Sequence, residues 1–128
     1  MGLKTILAAN PLYPSVAYEN RMSWNGFDLS DFEYFCSYEN FHYCKPNPKF
    51  FEELLNHIGA KPQECLMIGN DATEDMNAQL VGLDVFLLTD CLVNRENKDI
   101  NQFDHGGFSD LLKKIESLVY SIFAPVCS

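Results

Sequence analysis

Eleven residues constrain this chain more than any others: Cys65–Asp75, reading Cys-Leu-Met-Ile-Gly-Asn-Asp-Ala-Thr-Glu-Asp. Cys65 to Ile68 is an unbroken apolar run, the pattern of a strand buried on both faces. Gly69 and Asn70 then turn the chain. A helix is expected next, with Met76, Leu80 and Val81 on its apolar side. Asp71 and Asp75 are four residues apart, which would put both carboxylates on one face of that helix's first turn. Open α/β sheets bind ligands just beyond the C-terminal ends of their strands. Paired carboxylates there suit Mg²⁺, which binds through one or two acids together with waters and a phosphate. A structural reading competes with this one. Asp71-x-x-Glu74 also has the form of a capping box, and acids in a first helical turn are stabilised by the helix dipole.

The surrounding chain decides what this strand pairs with. Leu3–Ala9 is apolar apart from Lys4 and Thr5, and stops at Asn10-Pro11, so it reads as a buried strand. Pro14 opens a helix to about Trp24, with Val16, Ala17, Asn20 and Trp24 on one face, closed by Asn25-Gly26. Asp28–Asp31 is a polar turn, and Phe32–Ser37 a second strand. Tyr38–Cys44 is a loop that runs into Lys45-Pro46-Asn47-Pro48. Pro46 disfavours helix at Lys45, Asn47 suits an N-cap, and Pro48 suits a first helical residue. Phe51, Leu54, Leu55 and Ile58 then keep helical spacing up to Gly59. Asp84–Leu88 is a fourth strand. Cys91–Asp104 has no clear period and is expected to be irregular. A last helix begins at Ser109 or Asp110, carries Leu111, Leu112, Ile115, Leu118, Val119 and Ile122 as its stripe, and ends at Pro125. Strands alternating with helices imply a parallel sheet covered on both faces: a three-layer α/β, Rossmann-like domain of about four strands, one domain over residues 1–128.

Bulk properties exclude some partners. The formal charge of −9 argues against nucleic acid or an anionic membrane surface as the main partner. The five cysteines are odd in number and contain no Cys-x-x-Cys, and Cys36 and Cys65 sit in apolar runs. That usage suits a reducing, cytoplasmic setting. The apolar stretch at the N-terminus is too short for a membrane span and makes a poor signal peptide.

Three loops bring polar groups to one sheet edge: Asn10 after the first strand, Lys45 before the second long helix, and Asp71 and Asp75 after the third strand. A neutral donor, a cation and two carboxylates could together hold a phosphate and its Mg²⁺. His42 lies close to Lys45 in sequence but reads better as a surface residue. His57 falls at a helix C-terminus, where a cation is favourable. His105 sits in the irregular loop beside two glycines, and Cys44, next to Lys45, carries no catalytic role without a base and an orienting group.

These residues resemble the haloacid dehalogenase (HAD) superfamily of Mg²⁺-dependent phosphohydrolases. The resemblance is carried by Ile6-Leu7-Ala8-Ala9-Asn10-Pro11, Lys45-Pro46-Asn47-Pro48, and Gly69-Asn70-Asp71 with Asp75, and it covers nearly the whole chain. It implies a catalytic, charge-offsetting Lys45, phosphate binding by Asn10 and Lys45, and Mg²⁺ support by Asp71 and Asp75. The substrate it implies is a phosphorylated small molecule. It does not identify which, because substrate choice in this family resembles a property of cap insertions and no cap segment is present.

The sequence departs from the family in two places. Ala9 stands where the family has a phosphate-binding Ser or Thr. The family's nucleophile strand, ending in Asp-x-Asp and expected upstream of Leu3, is not in the chain. The covalent route then has no first step, so little or no turnover is expected. The alternative is a non-catalytic domain that works by association. Without a strand between them, the first and third strands are expected to pair directly, in the order second-first-third-fourth. Otherwise another chain, a second copy or a complementary partner, fills the space.

Overall fold

In the computed structural model, which describes residues 3–123 and their side chains as far as Leu118, every paired strand is parallel. β1 (Ile6–Leu7) pairs with β2 (Tyr34–Phe35). β3 (Leu66–Gly69), β4 (Asp84–Leu88) and β5 (His105–Gly106) form a second group in that order. The helices are α1 (Ser15–Trp24), α2 (Pro48–Ile58) and α3 (Phe108–Phe123). This is the expected α/β, Rossmann-like arrangement, and no cap domain interrupts it among the described residues. None of the described helices is long and apolar enough to cross a membrane.

The core lies where α2 packs over β3 and β4. Phe50, Phe51, Leu54 and Leu55 of α2 are buried against Met67, Ala72, Met76, Ala78, Val85 and Leu87. α2 starts and stops on its sequence signals. Asn47 Oδ1 accepts from the Lys49 N–H at 3.0 Å, Pro48 is the first helical residue, and Gly59 takes the left-handed conformation at φ 67°. Beside α2, Tyr34, Phe41 and Phe50 form an aromatic cluster over His57, whose ring stacks on Tyr34 at 5.5 Å.

Four expectations are corrected. First, β1 does not pair with β3: among the described residues the sheet is open between them. Second, the segment after Asn70 is a turn followed by a 3-10 helix, Met76–Val81, so Asp71 and Asp75 do not share a first α-helical turn. Met76 is buried in that helix, but Leu80 is exposed. Third, α1 buries Tyr18 and leaves Val16 and Trp24 in solvent. The Tyr18 hydroxyl donates to the Asn10 carbonyl, and this bond sets the inward face. Fourth, 91–104 is not all irregular. Val93 bridges the chain at Asp71, a short 3-10 turn forms at Ile100–Gln102, and β5 follows directly. α3 starts at Phe108, and Asp110 Oδ2 accepts from the Gly107 N–H at 3.0 Å. Leu111 is buried and Leu112 is exposed, while the Val119 and Ile122 side chains and Pro125 fall outside the described residues.

Candidate functional site

The three loops singled out in the sequence do converge, and Lys45 is where they meet. Asn10, just past β1, grips the Lys45 backbone on both sides. Its Oδ1 accepts from the Lys45 N–H at 2.8 Å, and its Nδ2 donates to the Lys45 carbonyl at 3.3 Å. The Lys45–Pro46 peptide bond is cis, and Asn77 Nδ2 donates to the Pro46 carbonyl at 3.0 Å. Sequence reasoning missed Asn77. Its one signal is an amide placed between the buried positions Met76 and Ala78.

From this anchored backbone the Lys45 side chain reaches Asp75, with Nζ 2.6 Å from Oδ1 and both side chains only 9 % exposed. A buried ion pair must offset the desolvation of both charges, which demands short, well-formed bonds. Asp75 meets that demand at its other oxygen too, where Oδ2 accepts from the Asp71 N–H at 3.1 Å. Gly69 makes room for it. A Cβ at Gly69 would lie 2.2 Å from Asp75 Oδ2.

Asp71 faces the other way. Its Oδ1 accepts from the Thr73 and Glu74 N–H groups at 2.9 and 2.8 Å. That is half of the expected capping box. The reciprocal bond to the Asp71 N–H comes from Asp75 rather than Glu74. Asp71 Oδ2 has no partner among the described residues, and the buried Thr73 hydroxyl is likewise unpaired. The loop is fixed at its outer side by backbone bonds from Ala72 to Val93 and from Val93 to Asn70, and by Asn70 Nδ2 donating to the Cys91 carbonyl.

Two neighbours take no part in this cluster. Cys36 is fully buried; burial pushes its thiol up to about 12, and the nearby Lys45 ammonium offsets this only in part. It is therefore a neutral core residue. His42 is exposed, with Nδ1 2.5 Å from Glu53 Oε2, and does not turn into the Lys45 site. Burial raises the Glu53 carboxyl, but hydrogen bonds from the His42 backbone and ring outweigh it and hold Glu53 below the usual glutamate value.

The donor set fits Mg²⁺ incompletely. No group of three His, Cys, Asp or Glu among the described residues could enclose a metal. Both Asp75 oxygens are engaged, which leaves Asp71 Oδ2 as the one free carboxylate oxygen of the pair.

A parallel α/β fold with a lysine-centred polar cluster at the C-terminal strand ends defines an α/β domain with its polar groups where open sheets bind ligands. The chain belongs to the haloacid dehalogenase-like hydrolase family, whose model matches residues 1–78. It is 39 % identical over 64 residues to a phospholysine phosphohistidine inorganic pyrophosphate phosphatase from Xenopus laevis, covering 49 % of this chain and 24 % of that protein. It is 34 % identical over 59 residues to a glyceraldehyde 3-phosphate phosphatase from Methanothermobacter thermautotrophicus, covering 45 % and 26 %. The chain thus spans about a quarter of the length of these relatives. Its fold is similar to a HAD phosphatase from Thermococcus onnurineus, with TM-score 0.66 and 22 % identity over 89 % of this chain and 50 % of that one. It is also similar to a predicted phosphoglycolate phosphatase from Haemophilus somnus, with TM-score 0.64 and 24 % identity over 86 % and 49 %.

Proposed function

We propose that the Asn10–Lys45–Asp71–Asp75 cluster is one half of a phosphate-ester hydrolase site. It binds the phosphate of a phosphorylated small molecule, with Mg²⁺ taken weakly by Asp71, and gives little or no turnover by itself. The observation that carries this reading is the Lys45 ammonium. It is nine-tenths buried, fixed by its backbone, and spends one of three protons on Asp75. The other two can donate to phosphate oxygens, and Asn10 Nδ2 retains a second proton for the same use. Asp75 positions Lys45 and the Asp71 backbone, while Asp71 Oδ2 is the oxygen that a hydrated Mg²⁺ would take, supplying charge neutralisation. No Asp-x-Asp follows an apolar run anywhere in the sequence, so nothing here is placed to attack phosphorus.

The test uses inorganic phosphate and MgCl₂ on the full chain, followed by NMR. Phosphate should perturb the Lys45 and Asn10 amides with millimolar affinity, Mg²⁺ should tighten it, and Asp71→Asn should remove the Mg²⁺ effect alone. Turnover of a generic phosphomonoester should stay at background. Phosphate shifts absent at Lys45 would sink this reading and leave the alternative, a domain that works by association.

A further inference from the structure

We propose that the turn 94–98 is a specificity element of the phosphate site, in which Arg95 takes a second anionic oxo group, a carboxylate or another phosphate, on the same substrate. The inference rests on the phosphate reading above and adds the substrate class: a phosphate monoester with a further anion at its far end.

The turn is built onto the Asp71 loop. Asp71 and Val93 pair as a parallel bridge. The Val93 N–H donates to the Asn70 carbonyl at 2.8 Å, the Ala72 N–H donates to the Val93 carbonyl at 2.9 Å, and Asn70 Nδ2 donates to the Cys91 carbonyl at 2.8 Å. Because the pairing is parallel, the chain at Val93 runs with the chain leaving β3, out past the C-terminal strand ends. Paired strands lie about 5 Å apart, and two further residues add at most about 7 Å. The Arg95 Cα therefore stands within about 12 Å of the Asp71 Cα, by that spacing and reach. Beyond Val93 the chain closes on itself. Asn94 Oδ1 accepts from the Lys98 N–H, and Asn94 Nδ2 donates to the Lys98 carbonyl, both at 2.9 Å. The Asn97 N–H donates to the Asn94 carbonyl at 3.2 Å, and Asn97 takes a φ of 51°, a conformation that asparagine tolerates. The turn thus has a fixed form, and its tip, Arg95 to Asn97, is exposed.

Charge singles out Arg95 within the turn. Lys98 Nζ lies 3.6 Å from Glu96 Oε2, so those two charges largely cancel. Arg95 makes no hydrogen bond or ion pair among the described residues. A chain of charge −9 repels a multiply charged anion, and the Asp71 carboxylate repels it locally, so a second anionic group is accepted only where a cation meets it. A guanidinium meets it well, because its planar fork offers two parallel N–H groups to a carboxylate or phosphate. Lys45 and Arg95 then form two cationic ends of one site. They are joined through the Lys45–Asp75 ion pair, the Asp75 bond to the Asp71 N–H, and the Asp71–Val93 bridge. The buried lysine holds the phosphate, and the exposed arginine at the rim reads what the phosphate is attached to.

The test is an NMR titration of the full chain with non-hydrolysable phosphonates. Methylphosphonate is the probe with a single anionic group. Phosphonoalkanoates and alkylenediphosphonates of increasing chain length carry a second one at increasing reach. Methylphosphonate should shift the Lys45 and Asn10 amides and leave those of the turn 94–98 in place. At least one of the longer probes should shift both sets and bind about tenfold or more tighter, the gain expected for a charge-assisted pair. Arg95→Gln should erase that gain while methylphosphonate affinity stays unchanged. Arg95→Lys should keep part of the gain, and Arg21→Gln, on α1, should keep all of it. The two series separate a carboxylate-bearing substrate from one with a second phosphate. The inference is overturned if every longer probe binds no tighter than methylphosphonate, or if the gain survives Arg95→Gln. In both cases methylphosphonate shifts at Lys45 leave the phosphate reading standing, whereas no shift at Lys45 with any probe removes both.

Discussion

Gly69 is the residue on which the site geometry turns. Its backbone needs no left-handed conformation; what it needs is absence, because the Asp75 carboxylate lies where a Cβ would be. Gly69→Ala must push Asp75 off Lys45 or push β3 out of register. It should cost about 1–3 kcal/mol, the range for forcing a methyl into a filled site. Urea unfolding would check this, together with loss of the Lys45 amide shift under phosphate. If Gly69→Ala proves neutral, the carboxylate is not held there. Sequence reading found Gly69 as a turn residue, but its reason was invisible, because the contact joins residues six apart through a loop that is not helical. Asn10 was likewise legible as a polar group at the sheet edge. That its amide would first be spent on the Lys45 backbone was not, since nothing local in Asn10-Pro11 announces a partner thirty-five residues away.

Between elements, the Lys45–Asp75 pair carries the connection of β1 to β3. Removing one partner leaves the other charge buried alone, so Asp75→Asn should destabilise by about 3–5 kcal/mol. Lys45→Met combined with Asp75→Leu should recover most of that loss, because the desolvation cost disappears with the charges. A double-mutant cycle by thermal unfolding measures the coupling. Additive losses would mean that the pair is not a unit. Elements with strong local signals were readable: α2 from Asn47-Pro48 to Gly59, and β4 from its apolar run. β5 was not, because a His-Gly pair has no strand pattern of its own. It is a strand because the Leu87 N–H and the Thr89 N–H need acceptors, and Asp104 and Gly106 provide them. α1 was placed correctly but rotated in the reading. Its apolar spacing is weak, and a single tyrosine hydroxyl bonding the Asn10 carbonyl outweighs it.

For the molecule as a whole, the charge of −9 and Glu53 respond to acid in opposite directions. Protonation of surface carboxylates relieves self-repulsion. Glu53 is held below its usual value in the fold, so the folded state binds fewer protons than the unfolded one as pH falls through the glutamate range. Its contribution is full above the unfolded value and is lost as pH drops through the lowered folded one. Glu53 accepts from the His42 N–H at 2.7 Å, so what it holds is the loop leading to Lys45. Glu53→Gln should therefore lower stability at neutral pH, where the contribution is full, and flatten the acid limb, so that variant and parent converge at low pH. An unchanged acid limb by pH-dependent thermal melts would contradict this.

The opening in the sheet also governs how the molecule comes apart. β1 and β2 together form a two-strand ribbon of two residues each, too short to persist alone. β3 and β4 form the main core with α2, and β1 and β2 reach it through Ile6, Tyr34 and the neighbouring Cys36. The segment from β1 to β2 is therefore expected to open first in native-state hydrogen exchange, and Asn10 acts on it as a latch whose catch is the backbone of Lys45. Each time that latch releases, the lysine loses its seat while the hydrophobic body of the domain stays closed.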